Sequence, residues 1–278
     1  MKSLSQDNKD YRFGYTNVEL ERLGIQHKVW EKATQSLWER AGFRTGMTIV
    51  DLDCGPGYTT IDLAKLVGPS GHIIAVDRDS EKSLPLLKSR LAEEALTNVE
   101  IRTLELNKLD LSPESVDGVY GRWVMMYLNP QEVRTLVERT TKWLRRSATF
   151  VLVEFCNYFH MSIYPPIELM NKVVNAFYQR VKANGGCPNI GNLLPGMMRR
   201  AGLEVDLKVI TQAIQPNSQK WAWPDSFFRD HIWSLVKEQR LKTQQCQIFM
   251  DEWQARSDDP NSIFFASPVM ETLGIKIS

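Results

Sequence analysis

Between Thr16 and about Ala41, apolar residues fall at helical spacing: Leu23, Val29, Trp30, Ala33, Leu37 and Trp38 share one face. Thr16 with Glu19 three residues on has the form of a capping box for that helix. Gly42 and Gly46 stop it, and the period changes. Met47 to Leu52 reads as a buried strand, followed by a Gly-rich turn from Asp53 to Gly57 and a short helix from Thr60 to Val67. The same alternation returns. His72 to Val76 predicts a second strand ending in Asp77, and Asp79 or Ser80 caps a helix to about Ala95. Val99 to Leu104 and Val116 to Tyr120 predict two more strands. Pro130 opens a helix to about Leu144, and Ala148 to Glu154 is the most apolar strand. Strands alternating with helices imply right-handed crossovers and a mostly parallel sheet covered on both faces, so the class is α/β.

Beyond Glu154 the rhythm breaks. Pro165-Pro166 is expected to open a helix through about Lys182, followed by the loop from Asn184 to Gly191, a helix to Arg200 and a strand from Leu203 to Thr211. Polar helical segments then carry Trp221, Trp223, Phe227, Phe228 and Trp233, and Ser262 to Ala266 is expected as the final strand. The aromatic cluster has two readings: a cage for a planar or cationic ligand, or core joining a cap to the sheet. The expected organisation is one domain: an N-terminal helical cap over residues 1–45, a binding core over 46–155, and a remainder over 156–278 with cap insertions at about 156–190 and 215–260.

The 278 residues carry 34 Lys+Arg against 33 Asp+Glu. That balance lacks the basic excess of a nucleic-acid binder, so no nucleic-acid partner is expected. No run of about 18 apolar residues occurs, so no membrane span is expected. The start, MKSLSQDNKDYRFGY, lacks the apolar centre of a signal peptide. Cys54, Cys156, Cys187 and Cys246 lie far apart with no CxxC pair, which predicts free thiols in the cytoplasm and no metal site. No HExxH, GxSxG or P-loop motif is present.

Chemistry concentrates at Ile49-Val50-Asp51-Leu52-Asp53-Cys54-Gly55-Pro56-Gly57. A strand feeding a Gly turn and then a helix brings backbone N–H groups to a ligand. Asp77, twenty residues after Gly57, stands where an acid accepts both hydroxyls of a ribose. A dinucleotide turn would place its third glycine at Thr60, which disfavours NAD. Asp51 before the turn suits a cationic ligand better than a pyrophosphate.

Asp51-Leu52-Asp53-Cys54-Gly55-Pro56-Gly57 resembles the first motif of class I S-adenosylmethionine-dependent methyltransferases, D-x-G-x-G-x-G. Asp77 matches the ribose-binding acid of that family, and Ser115 to Tyr120 with Arg122 to Leu128 resembles its fourth strand and the segment after it. Glu21-Arg22-Leu23…Gln26 looks like the small-molecule branch, in which an N-terminal helix closes over the cofactor. The resemblance covers residues 16–155 well and the rest loosely. It implies a doubly wound, seven-stranded, mostly parallel sheet whose last strand, Ser262 to Ala266, is antiparallel, with helical cap insertions.

The resemblance further implies S-adenosylmethionine as cofactor, S-adenosylhomocysteine as product and a small organic acceptor methylated on N, O or C. The cofactor residues it implies are Gln26, Asp51, Asp53, Gly55, Gly57, Asp77, Arg78, Leu106, Asn107 and Arg122. His160 is the candidate general base, because its ordinary pKa lies near neutrality. Tyr15, Tyr127, Asn157, Tyr164 and Trp223 are acceptor-site candidates. Two positions depart from the family: Asp53 replaces a motif glycine, and Leu106-Asn107 stands where an acid often reaches the adenine. The Asp53 carboxylate either pairs with the cofactor ammonium or repels its carboxylate. A fold that binds without turnover and an NAD-dependent oxidoreductase are the alternatives, and a homodimer is left open.

Overall fold

The computed structural model describes residues 16–277. The apolar runs form a seven-stranded sheet of β1 (Thr48–Leu52), β2 (His72–Asp77), β3 (Val99–Thr103), β4 (Val116–Arg122), β5 (Leu144–Phe155), β7 (Leu203–Ile210) and β10 (Val269–Lys276). Their order is β3-β2-β1-β4-β5-β10-β7. Only β10 runs antiparallel to its neighbours, β5 and β7. β1 lies between β2 and β4, with Asp51 opposite Ala75 on one side and Tyr120 on the other. The chain moves outward from β1 to β3 and then returns to β4, so a crevice opens at the carboxyl ends of β1 and β4, where open α/β sheets take ligands.

Helices α2 (Tyr58–Val67), α3 (Ser83–Glu93), α4 (Pro130–Trp143) and α6 (Leu194–Arg200) join these strands. Asn129 caps α4 by accepting from the Gln131 and Glu132 amides while Glu132 accepts from the Asn129 amide, a full capping box. In α1 (Asn17–Arg40), Thr16 accepts from the Glu19 amide, and the Glu19 carboxylate accepts from Arg22 and His231. At 1.5 Å per residue this 24-residue helix is roughly 36 Å long. It is tied at both ends. Glu19 meets His231 of α7 (Ala222–Lys237) at 3.0 Å, and Arg40 meets Glu271 of β10 and Asp206 of β7 at 2.6 Å each.

The final strand is a correction. Ser262 to Ala266 lies outside the main sheet: β9 (Ile263–Phe265) is the centre of a small antiparallel sheet with β6 (Ser162–Tyr164) and β8 (Ala213–Ile214). The antiparallel strand of the main sheet is β10, whose Glu271 and Gly274 interrupt its apolar run. Both have tertiary reasons to be there. Buried Glu271 pairs with Arg40, and a Cβ on Gly274 would come within 2.7 Å of the Leu203 side chain. The helix expected from Pro165 begins later, as α5 (Met170–Ala183).

Helices α7 and α8 (Thr243–Asp258) complete the cap. The aromatic cluster divides between core, cavity wall and surface. Trp221 stacks on Trp253 at 5.1 Å, and Phe228 packs against Phe249, Trp253 and Phe264, which makes these two core. Trp223 and Phe227 face a cavity, and Trp233 is on the surface. No described helix is long and apolar enough to cross a membrane, and all four cysteines are free.

Candidate cofactor and acceptor site

The turn after β1 needs left-handed backbone at three places: Asp53 (φ 55°), Gly55 (φ 54°) and Gly57 (φ 82°). Gly57 is required twice over, because a Cβ there would also sit 2.3 Å from the Leu87 side chain on α3. Asp77 fastens this turn to the end of β2, accepting from the Gly55 amide at 2.7 Å and the Asp79 amide at 2.8 Å. Thr60, at the position a dinucleotide turn gives to glycine, donates its hydroxyl to Asp51 at 2.7 Å.

Two cavities meet over this turn. The first, about 160 Å³, is bounded by Asp51 and Gly55 at one end and by aromatic side chains, among them Trp123, Tyr158, Phe177 and Trp223, at the other. The second, about 490 Å³, is bounded by Arg78, Leu106, Asn107 and Arg139. Asp53 and Tyr127 form walls of both.

Charge is concentrated at the junction. Burial pushes the Asp51 carboxyl up to about 7, against the opposing Thr60 hydrogen bond and Arg122 charge. Burial and the Asp77 charge hold Asp53 above the usual carboxylate range. Glu154, fully buried at the end of β5, accepts from the Val124 and Met125 amides at 2.7 Å each and is pushed up to about 8, chiefly by burial. Those two amides lie at the start of the turn that carries Tyr127. Glu19 goes the other way: burial would raise it, but hydrogen bonds from Arg22 and His231 outweigh that and bring it down to about 2. Gln26 accepts from Arg22 at 2.9 Å and from the Trp223 indole at 3.0 Å, which joins α1 to α7 across the first cavity.

Most of the expected residues come together. Gln26, Asp51, Asp53, Gly55 and Arg122 line the first cavity, and Arg78, Leu106 and Asn107 the second. Asp77 lines neither; it is 1% exposed and both its oxygens serve backbone amides, while Gly57 contributes backbone shape alone. Of the acceptor candidates, Tyr127 and Trp223 border the first cavity, and Asn157 does not. Tyr164, 64% exposed, and His160, also exposed, lie outside both cavities. The physical reason is the single tight turn Tyr158–His160. It buries Tyr158, whose amide donates to Asn189, and turns Phe159 and His160 outward. Tyr15 lies outside the described residues.

Residues that sequence reasoning missed include His27 as a wall residue, Trp123, Phe177 and Arg180. Phe177 and Arg180 share a face of α5 at helical spacing, but nothing local says which face meets a cavity.

S-adenosylmethionine carries an ammonium and a sulfonium and no phosphate. The residues present fit it: two carboxyls, Asp51 and Asp53, line the first cavity and are both raised chiefly by burial, a cost that a neighbouring cation offsets. The second cavity supplies apolar Leu106 and the amide of Asn107 for a nucleobase.

A methyltransferase-domain profile matches residues 43–190, just over half of the chain. A stretch of 159 residues is 45% identical to demethylmenaquinone methyltransferase of Lactococcus lactis, covering 56% of this chain and 57% of that protein. Phosphoethanolamine N-methyltransferase 1 of Triticum aestivum is 33% identical over 119 residues, 42% of this chain and 22% of that protein. These curated relatives are thus matched over little more than half of their length at most. Among solved structures, the YcgJ protein of Bacillus subtilis superposes with a TM-score of 0.57 at 17% identity, covering 91% of this chain and 99% of that one. Haemonchus contortus phosphoethanolamine N-methyltransferase 2, solved with phosphomonomethylethanolamine and S-adenosylhomocysteine, has a TM-score of 0.57 at 14% identity, covering 92% and 58%. At such identities the likeness concerns the fold.

Proposed function

The chain belongs to the family of methyltransferase domains, and from that premise we propose that it moves a methyl group from S-adenosylmethionine to a small organic acceptor. The observation that carries this reading is the pair of cavities sharing Asp53 and Tyr127 as walls. In this reading adenosine occupies the second cavity, against Arg78, Leu106 and Asn107. The amino-acid end lies against Asp51 and Asp53, and the acceptor enters the aromatic end of the first cavity.

When bound, S-adenosylmethionine supplies a methyl carbon already activated by the sulfonium. Asp51 and Asp53 would hold its amino-acid end and Arg78, Leu106 and Asn107 its adenosine, leaving the methyl group to face the acceptor. The chain's own residues orient and exclude water. Trp123, Phe155, Tyr158 and Trp223 give the acceptor a flat apolar seat. The buried tyrosines Tyr127 and Tyr158, both pushed up by burial and the second to about 12, keep their hydroxyl protons at neutral pH. Asp77 acts through the Gly55 amide, shaping the turn, and reaches a ribose by exchanging one of its amide partners.

The three-part organisation of cap, core and remainder is read as one working unit, with α1, α5 and α7 over the crevice. The free cysteines support a cytoplasmic setting. Exposed Leu207 and Val209 on the edge strand β7 support a homodimer.

The test is a metabolite extract incubated with methyl-labelled S-adenosylmethionine, the labelled product being identified by mass spectrometry. Label transfer to one small molecule is the expected outcome. Tight S-adenosylhomocysteine binding with no transfer would favour the alternative of a binding module, which Asp53 at a motif glycine position supports.

A further inference from the structure

The amino-acid end of S-adenosylmethionine bears an ammonium and a carboxylate on the same carbon. A site that receives the ammonium on Asp51 or Asp53 therefore needs a cation within a few ångströms for the carboxylate. Three arginines border the first cavity. Arg22 already makes a two-point pair with Glu19, through Nε at 2.7 Å and Nη2 at 2.6 Å. Arg180 pairs with Glu238 at 3.2 Å. Arg122 differs from both. Its charge acts on Asp51, and its hydrogen bonds go to uncharged acceptors: Thr34 Oγ1 at 3.0 Å, His27 Nδ1 at 3.3 Å and Thr59 Oγ1 at 3.4 Å. No carboxylate stands within ion-pair distance of it among the described residues.

His27 explains how this arginine is held. A guanidinium only donates, so Nδ1 of His27 is the acceptor and the ring proton sits on Nε2. That proton is donated to Asp62 Oδ2 at 2.9 Å. The ring is 8% exposed and lies nearly parallel to Tyr58, with centroids 5.7 Å apart. Asp62 and Tyr58 belong to α2, His27 to α1 and Arg122 to the end of β4, so one chain of bonds joins three elements around the crevice.

We infer that Asp62 and His27 form a relay that holds Arg122 in place for the cofactor's carboxylate, with His27 as a positioning residue contributed by α1. The inference rests on the S-adenosylmethionine reading above. It makes α1 more than a cover: when the helix is seated, His27 completes the carboxylate seat. When the helix lifts, Arg122 loses two of its three orienting partners, His27 and Thr34.

The test compares calorimetric dissociation constants for S-adenosylmethionine and for decarboxylated S-adenosylmethionine, which keeps the ammonium and sulfonium but lacks the carboxylate. In His27→Ala, S-adenosylmethionine should bind about tenfold more weakly, the loss expected for one orienting contact to a charged group, while the decarboxylated compound binds as before. His27→Asn, whose side-chain oxygen falls near the position of Nδ1, should restore most of the difference. Equal weakening of both ligands, or no weakening of either, overturns the relay. A wild-type protein that binds neither ligand overturns the cofactor reading itself. Unchanged affinity for the decarboxylated compound also shows that the variant is folded.

Discussion

Asp53 is the residue at which sequence and site disagree most informatively. It stands at a motif glycine position with φ 55°, a left-handed backbone that costs a non-glycine residue on the order of 1 kcal/mol. Its carboxyl is also raised by burial and by the Asp77 charge. Both effects weigh on the free protein, and the second is relieved when a cation arrives. Asp53→Gly should therefore raise the melting temperature of the free protein by roughly the equivalent of 1 kcal/mol while weakening S-adenosylmethionine binding. Thermal melts with and without ligand check both signs, and a variant that gains affinity would show that the carboxylate obstructs the site. At this scale the sequence announced its own anomaly: Asp51, Gly55 and Asp77 are readable from the strand, turn and spacing, and the family resemblance marks Asp53. The side chains around them were not readable. Glu19 finds His231 across 212 positions, and Gln26 finds Trp223 across 197. Nothing in either local pattern marks the partner. His160 shows the converse: its chemistry suited a base, and one tight turn points it to solvent.

Among elements, α1 matters most to the site. A Cβ on its Gly24 would sit 2.4 Å from the Tyr58 hydroxyl oxygen, which donates to the Leu20 carbonyl at 3.3 Å. Alanine is the better helix former by about 1 kcal/mol, so Gly24→Ala sets helix propensity against this contact. The contact should win, because the Tyr58 ring is also held beneath the Arg90 guanidinium, 3.6 Å from its centroid. Gly24→Ala should lower stability and weaken cofactor binding together. Adding Tyr58→Phe, which removes the nearest oxygen, should recover part of the stability; a double-mutant cycle by chemical denaturation measures that coupling. The edge strand β3 showed itself by alternation, and the central strands β1, β2, β4 and β5 were legible because parallel strands buried on both faces read as largely apolar runs. β10 was not, because its Glu271 and Gly274 answer to Arg40 and Leu203, residues remote in sequence. SIFFA had the composition of a sheet strand and went to the small cap sheet, since composition records burial and not which sheet provides it.

At the scale of the whole molecule, the buried acids couple folding, binding and pH. Asp51 rises from about 3.8 to about 7 and Glu154 from about 4.5 to about 8 on folding. Between those limits the folded protein holds more protons than the unfolded one. Their contribution to stability is thus complete below the unfolded values and is lost as pH rises through the folded ones. Glu19 has the opposite sign: lowered to about 2, it stabilises above about 4.5, and that contribution is lost as pH falls toward 2. The free protein should be most stable in mildly acid solution, between these two losses. Binding of a cation beside Asp51 favours its ionised form, so S-adenosylmethionine affinity should rise with pH up to about 7 and then level off. Below that point binding must expel a proton, and affinity should fall by up to about tenfold per pH unit. Calorimetry at about pH 6 in two buffers of different ionisation enthalpy should register proton release on binding, declining toward zero near pH 8. Asp51→Asn should reduce the release and make the profile shallower, because one of the two raised carboxyls beside the ammonium is gone. A wild-type affinity that is flat across this range would mean that the cofactor's ammonium does not rest against Asp51. The stability optimum would then stand unchanged, since it depends only on the folded and unfolded protein.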